Sequence, residues 1–520
     1  MPTFSIVTPV YNPPREAFEA CVRSVLGQSH PDWEWCLADD ASTADWVSQR
    51  LRELQTQDAR IRVVERQTNG GIVAASNDAI AVATGEFLVL LDNDDELHLD
   101  ALRLVADAIA GRPDCDYLYS DENKMTSDGE HFDVFAKPTW SPERLLAQNF
   151  TSHLSVLRRS VVEQVGRFRQ GFDGPQDYDL ILRVVERARA VVHVPHVLYH
   201  WRSLPTSTAS AASAKPYAFV AALKAVREHL SRTGTVAEVT EAGPSLARIR
   251  RVSTHNPRVT VVIPVSTARR RIFGVETPLA RNVTRSLLEK TTYNNYSVVL
   301  AADTRLSDDE IDELASPFET RISVVRVPGT FSLAQGLNAG LLACSTPIAA
   351  LVDERCEFID GDWIETLLGY ASRDGVAMVA PILVDEYGTI LSAGLAMTPE
   401  PHDIAQGRHT SDLGPVGMYA IARECFGVST RCALVDTVAL KRVGGFSPDY
   451  AGRWFDADLA CKLHDIGRHA IVTPLARVRS HDDPSMPGEL DGLFAERWGR
   501  FMGRDPYTRF DTRALQTADA

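Results

Sequence analysis

The chain has 520 residues, 44% of them hydrophobic and 24% charged, with a formal net charge of −15. That length exceeds one ordinary core, so two or more globular domains are expected. The acidic balance excludes a general nucleic-acid binder, and an anionic ligand would need a local device such as a metal ion, a helix N-terminus or placed arginines.

The opening MPTFSIVTPVYN has neither a basic stretch nor a long apolar one, which predicts no secretory leader. No apolar run reaches the roughly 18 residues of a membrane span. The expected location is therefore cytoplasmic, or peripheral on the cytoplasmic face of the inner membrane. The eight cysteines (Cys21, Cys36, Cys115, Cys344, Cys356, Cys425, Cys432, Cys461) form no CxxC pair and read as reduced core thiols.

The first hundred residues alternate. FSIVTPV reads as a strand, REAFEACVRSVLGQ as a helix with its apolar stripe at Ala17, Phe18, Cys21, Val22, Val25 and Leu26, and WEWCLAD as a strand. TADWVSQRLRELQ reads as a helix with Ser42 as N-cap. IRVVE, IVAASNDAIAVAT and EFLVLLD follow as strand, helix and strand. Such alternation implies parallel strands covered by helices, with ligands at the carboxyl ends of the strands.

Three polar strand ends fall there: PVYN after the first strand, ADDAS after the second and the acidic run after EFLVLL. After EFLVLL come Asp92, Asn93, Asp94, Asp95 and Glu96. Alternate residues of a strand share a face, so Asp92 and Asp94 can converge, and a hard divalent cation would relieve their repulsion. The plainer reading is a solvated acidic loop before the helix LHLDALRLVADAIA. ADDAS supplies Asp39 and Asp40, either nucleotide contacts or a helix cap. NGG, beginning at Asn69, is either an anion seat or a tight turn.

Farther on, GPQDYDLILRVVE places Asp177 and Asp179 at a helix start. One reads as a helix-start residue and the other as a general base if desolvated. In VLYHWR, His200 is either a metal or phosphate contact or a structural histidine. SLPTSTASAASAKP has linker composition, YAFVAALKAVREHLSR reads as an amphipathic helix, and the segment up to about residue 256 reads as a connecting hairpin or a loose strand pair. The pattern then restarts. Pro264 stands 255 residues after Pro9, Asp303 263 after Asp40, and Asn338 261 after Asn77. Near-constant offsets predict duplication of a whole domain.

Taken in order, SIVTPVYN, SVLGQSHPDWE, ADDAS, NGGIVAASNDAI, TGEFLVLLDNDDEL, GPQDYDLILR and LYHWR resemble a family 2 glycosyltransferase, over nearly all of residues 4 to 203. The resemblance implies an α/β chain of two tandem GT-A domains, Rossmann-like with mostly parallel sheets, joined by a helical linker. The expected boundaries are 1–205, a connector 206–256, a second and degenerate domain 257–500, and a tail 501–520.

It also implies an inverting transfer from a nucleotide-diphosphate sugar to a glycan or lipid-linked acceptor, in O-antigen, capsule or similar polysaccharide synthesis, with Mn²⁺ or Mg²⁺. By the same resemblance Asp92 and Asp94 hold the metal, with His200 beside it. Pro9, Tyr11, Asp39, Asp40, Asn69, Asp92 and Asn93 bind the donor, and Asp177 is the base, although Gln176 stands where many relatives have Glu.

The second copy departs from this pattern. Asp353 stands near Asp92, but Arg355 replaces Asp94 and Ser266 replaces Tyr11, while Asp303, Asp456 and His481 are matched to Asp40, Asp177 and His200. It is either a metal-independent transferase in which Arg355 neutralises diphosphate or a decayed domain that positions acceptor or partner. A sugar-1-phosphate nucleotidyltransferase is disfavoured, because PVYNPPRE has no phosphate-binding glycines. A sugar-nucleotide-binding scaffold is the non-enzymatic alternative.

Overall fold

A computed structural model describes residues 3–203, 216–450, 453–481 and 492–509. Most of the linker-like SLPTSTASAASAKP and the tail beyond residue 509 lie outside the described residues. The chain divides into two compact units, Met1–Trp140 with Gln148–Thr235, and Ser141–Ala147 with Val236–Ala520. The connector anticipated at 206–256 is shared out. Its helix Pro216–Arg232 falls in the first unit, and its hairpin Ala237–Gly243/Leu246–Arg251 falls in the second.

The first unit runs β1 (Phe4–Val10), α1 (Arg15–Leu26), β2 (Trp33–Asp39), α2 (Asp45–Gln57), β3 (Ile61–Glu65), α3 (Gly71–Val82), β4 (Phe87–Leu90), β5 (Glu96–Leu97) and α4 (Ala101–Gly111). It continues with β6 (Tyr117–Met125) and β7 (His131–Phe135). The short helix α5 (Pro142–Ala147) belongs to the other unit. Then come β8 (Ser155–Arg158), α6 (Arg159–Gln164), α7 (Gln176–Val185), β9 (Val191–Arg202) and α8 (Pro216–Arg232).

Among the described residues the strands form one sheet in the order β3-β2-β1-β4-β8-β6-β9-β5, with β7 on β6. The half from β3 to β4 is parallel. β8 then inserts antiparallel between β4 and β6. Parallel strands need helical crossovers, and these cover both faces, so β1, β2 and β4 read as nearly unbroken apolar runs. In α1, residues Ala17, Phe18, Cys21, Val22 and Val25 are buried, as the helical period requires.

Ser42 does not cap α2. Ala44 occupies the cap position, and Asn12 Oδ1 instead accepts from the N–H groups of Thr43 (2.9 Å) and Ala44 (3.1 Å). A side chain from the β1 exit thus holds the two residues that lead into this helix, which a local scan for Ser or Asp cannot find. All eight cysteines are buried and unbridged.

The second unit repeats the sheet order strand for strand: Ile322–Val327, Tyr296–Asp303, Val259–Val265, Ile348–Val352, Cys432–Asp436, Val376–Val384, His469–Ser480 and Cys356–Phe358. One half-buried contact is duplicated atom for atom. Asn77 donates to the Phe168 carbonyl (3.0 Å) and accepts from its N–H (3.1 Å), as Asn338 does with Phe446 (2.8 and 2.9 Å). Residues 501–509 continue this fold, with the buried Asp505 accepting from Met397 N–H at 2.8 Å.

Candidate active site

β4 ends at Leu90, and residues 93–94 form a turn. The strand period therefore lapses where Asp92 and Asp94 were expected to share a face. The turn brings Asp95 back beside Asp92, with Asp95 N–H on the Asp92 carbonyl at 3.4 Å. Asp92, Asp95 and His153 each offer one ligand atom, all within 4.8 Å of one another. Asp94 and His200 are not part of that group.

His153 arrives by register. β8 lies antiparallel on β4 with Ser155 opposite Leu90, so the residue two before Ser155 falls beside the β4 exit. Its ring stacks on Tyr199 (centroids 4.5 Å apart) and lies 5.4 Å from Trp201. The Tyr199 hydroxyl donates to Asp95 Oδ2 at 2.6 Å and accepts from Asp92 N–H at 3.3 Å. Arg202 closes the turn, its N–H on Asp95 Oδ1 (2.7 Å) and its Nε on the Asp94 carbonyl (2.8 Å).

Because neighbours on a strand face opposite ways, Tyr199 and Trp201 reach His153 while His200 turns away. His200 bonds Asn123 Oδ1 through Nδ1 (2.8 Å) and stacks on His131 at 4.2 Å. Burial and the two histidines His131 and His98 depress its pKa to about 4. The structural reading of His200 thus holds the stronger ground.

Behind His153 lies a buried ion network. Lys137, fully buried, donates through Nζ to Glu122 Oε2 (2.9 Å), the Thr151 carbonyl (2.7 Å) and the His153 carbonyl. Glu122 Oε2 also accepts from His153 N–H at 3.1 Å and lies 3.4 Å from its Nδ1. Burial opposes ionisation of both Glu122 and His153, but Lys137 and His153 draw the Glu122 carboxyl down to about 2. Glu122 and the aspartates raise the His153 imidazole to about 9.

The aspartates carry the complementary strain. Burial, then the Asp92 charge, pushes Asp94 up to about 6, and the same causes raise Asp95 well above the usual carboxylate range. Asp95, a buried carboxylate that resists ionisation, lies with Asp92 and the His153 ring in a donor set that a divalent cation satisfies once His153 gives up its proton. The residues fit the metal that the resemblance implies.

Asp177 sits in the first turn of α7 and accepts from Asn149 Nδ2 at 3.1 Å. Burial raises its pKa, His153 lowers it and Asp92 raises it, so it shares the electrostatic field of the acidic group. Asp179 is the structural member of the pair. It is fully buried and held by Arg183 (2.7 Å) and by Arg169.

The remaining expected donor contacts line the strand ends. Asn93 Nδ2 donates to the Pro9 carbonyl (2.9 Å), and Tyr11 exposes 48% of its surface just past β1. Asp39 Oδ1 accepts from Ser42 N–H at 3.0 Å. Asp40 fills the glycine-rich start of α3, accepting from the N–H groups of Gly70 (2.9 Å) and Gly71 (2.8 Å) and pairing with Arg66. Asn69 Nδ2 donates to the Asp40 carbonyl. The supposed anion seat is thus taken by the chain's own carboxylate.

In the second unit, register identifies what replaces each member of the group. Leu351 pairs with Ala433 as Leu90 pairs with Ser155, so Arg431 stands where His153 does. Counting from Asp353, Cys356 replaces Asp95. Glu357 lies opposite Arg479 as Glu96 lies opposite His200, so His481 answers to Arg202 and its expected match to His200 is corrected by two residues.

The acids that remain are engaged: Asp353 by Arg355 (2.9 Å), Asp303 by Arg305 (2.5 Å) and Asp456 by the Thr430 hydroxyl (2.5 Å). Glu354 accepts from the Ser266 hydroxyl at 2.5 Å, and burial raises it to about 7. His481 lies between Glu357 (2.7 Å) and Glu386 (3.2 Å).

A doubly built α/β sheet, with an acidic, imidazole-flanked strand exit in one copy among the described residues, is a tandem fold of GT-A type. The profile of glycosyl transferase family 2 matches residues 5–166 and 261–444, once in each unit, and the chain belongs to that family. It is similar to an uncharacterized protein of Sinorhizobium fredii, 34% identical over 93% of this chain and 53% of that protein. It is also similar to the O-antigen biosynthesis protein RfbC of Myxococcus xanthus, 29% identical over 93% of this chain and 38% of that protein. The chain thus spans about half or less of these two relatives. Among solved structures it is similar to Staphylococcus aureus TarS 1–349 in complex with UDP-GlcNAc, at 19% identity and TM-score 0.38, over 44% of this chain and 66% of that one. Among the described residues, no helix is long and apolar enough to cross a membrane.

Proposed function

We propose that the chain is an inverting glycosyltransferase that moves a sugar from a nucleotide-diphosphate donor to a glycan or lipid-linked acceptor in cell-surface polysaccharide assembly, and that its chemistry resides in the first unit. The observation that carries this reading is the convergence of Asp92, Asp95 and His153 in the same field as the half-buried Asp177. Relatives named for O-antigen and colanic acid biosynthesis support the pathway class.

Asp177 takes the proton of an acceptor hydroxyl while that oxygen bonds to the anomeric carbon. The bond from that carbon to the diphosphate oxygen breaks, and its electron pair leaves with the diphosphate. Burial suits Asp177 to this task, because a carboxylate that resists ionisation is a stronger base. Asn149 orients it. Mn²⁺ or Mg²⁺ held by Asp92, Asp95 and His153 would neutralise charge on the departing diphosphate. Asp40, Asn69, Tyr11 and the backbone at Pro9 are proposed to bound the nucleotide.

Two results are expected here. Asp95→Asn should weaken Mn²⁺ binding by about 10-fold or more, read by calorimetry, with thermal stability unchanged or raised, since the buried charge is removed. An unaltered Mn²⁺ affinity would refute the assignment. Cation affinity should also fall as pH drops below about 9, where His153 takes up a proton, and binding should release protons at neutral pH.

The second unit is proposed to be non-catalytic. Arg431 and Cys356 stand where His153 and Asp95 do, and a cation in place of a ligand repels a metal. About one Mn²⁺ should bind per chain, and Asp92→Ala should abolish it. A second site surviving in Asp92→Ala would contradict this reading.

A further inference from the structure

We propose that Tyr199 is the positioning residue of the cation group, one phenol that sets both aspartates and the imidazole in place. The inference rests on the cation reading of the first unit and adds to it a residue outside the ligand set. Tyr199 is fully buried on β9, with Leu97 of β5 opposite it on one side and Glu122 of β6 on the other. Strands on both sides fix its backbone, so the ring leaves the sheet from a set point. That one side chain touches every member of the group. Its hydroxyl donates to Asp95 Oδ2 at 2.6 Å and accepts from Asp92 N–H at 3.3 Å. Its ring lies against the His153 ring, with centroids 4.5 Å and planes 14° apart. A phenol has one proton to give, and here it goes to Asp95. Asp95 Oδ1 takes the Arg202 N–H at 2.7 Å, so both oxygens are held from outside the group and the carboxylate cannot swing. A carboxylate oxygen offers two acceptor positions, so each keeps one for a cation. Glu122, the register partner of Tyr199, meets the other aspect of the imidazole, with Oε2 3.4 Å from Nδ1. His153 is thus held at its edge by Glu122 and on its face by Tyr199.

The second unit shows that the fold does not itself require this hydroxyl. Phe358 lies opposite Val478 as Leu97 lies opposite Tyr199, and Val478 pairs with Leu383 as Tyr199 pairs with Glu122. Val478 and Leu383 are both buried and both belong to the hydrophobic core of that unit. The copy with Arg431 and Cys356 at the places of His153 and Asp95 therefore fills these two positions by plain apolar packing. The phenol and its carboxylate partner occur in the copy that holds the group. A buried hydroxyl at a position that valine can pack is explained by what it bonds, and it bonds two of the three members. Partners that orient metal ligands in this way typically carry about 10–100-fold in metal affinity.

Tyr199→Phe keeps the ring and its stack and removes only the oxygen. In the full chain it should weaken Mn²⁺ binding by roughly 10–100-fold, read by calorimetry. At saturating Mn²⁺ it should also alter the electron paramagnetic resonance line shape of the bound ion, because the Asp95 carboxylate is then free to rotate. A loss of packing elsewhere would not move that spectrum. Combined with Asp95→Asn, Tyr199→Phe should cost little further affinity, since the hydroxyl acts through that carboxylate, whereas independent damage to the fold would add. Unchanged affinity and spectrum in Tyr199→Phe, beside a loss in Asp95→Asn, would overturn this inference and leave the cation group standing. A wild-type chain that binds no Mn²⁺ would overturn both. Full additivity with Asp95→Asn, or a Tyr199→Phe chain that no longer melts cooperatively, would make Tyr199 a structural residue and overturn the proposal.

Discussion

Asp177→Asn is expected to lose transfer by roughly 10²–10⁴-fold in kcat while binding the donor with nearly unchanged affinity. The carboxylate is the one acid of the α7 start left for chemistry, since Asp179 is consumed by Arg169 and Arg183. The substitution also has a stability signature. A carboxyl whose folded pKa is raised favours folding less as pH climbs above its ordinary value near 3.8, because the native state then pays to ionise it. Removing that charge should leave the protein as stable as before, or more so, at neutral pH. Calorimetry for the donor, single-turnover transfer and thermal melting separate the outcomes. Transfer that persists would place the base elsewhere, and lost donor affinity would recast Asp177 as a binding residue.

Lys137→Met should destabilise the protein by about 3–5 kcal/mol, because it removes the lysine partner of the buried Glu122 carboxylate and leaves only His153 beside it. For a unit of this size that is a fall of roughly 10 °C in the first melting transition. Glu122→Gln in the same chain should restore much of the loss, since neither charge then lacks a partner. The sign with pH follows from Glu122, held at about 2 against an ordinary 4.5. Its contribution is present above the ordinary value and fades as pH falls toward 2, so the wild-type acid limb should flatten in the double variant. Lys137 also grips the carbonyls of Thr151 and His153, so Mn²⁺ affinity should fall in the double variant even where stability recovers. An unchanged melting temperature in Lys137→Met would refute the network.

Much of the architecture was legible. The strand and helix stripes, the duplication and the acidic end of β4 all follow from periodicity, and the hairpin at 237–251 followed from composition. The cation group was half legible. Asp92 stood out, but the strand period pointed to Asp94 because nothing local marks where β4 stops and the turn begins. His153 lies 61 residues from Asp92 in sequence and carried no signal of its own. His200 carries a ligand's signature in sequence and Tyr199 does not, although alternation along β9 gives Tyr199 the inward face. Glu122 and Lys137 were invisible, since each reads alone as a surface charge.

The sequence by itself determined what repeats at short range: the apolar period of each helix and strand, the doubling of the whole pattern, and the acidic residues crowding a strand exit. Those properties depend on neighbours a few residues apart. Only the tertiary structure decided which side chains meet there. The antiparallel entry of β8 beside β4 delivers His153 in the first unit and Arg431 in the second, through backbone register between distant segments. Register is set by packing across the sheet, so the same strand order holds a cation-ready cluster in one copy and a self-neutralised one in the other.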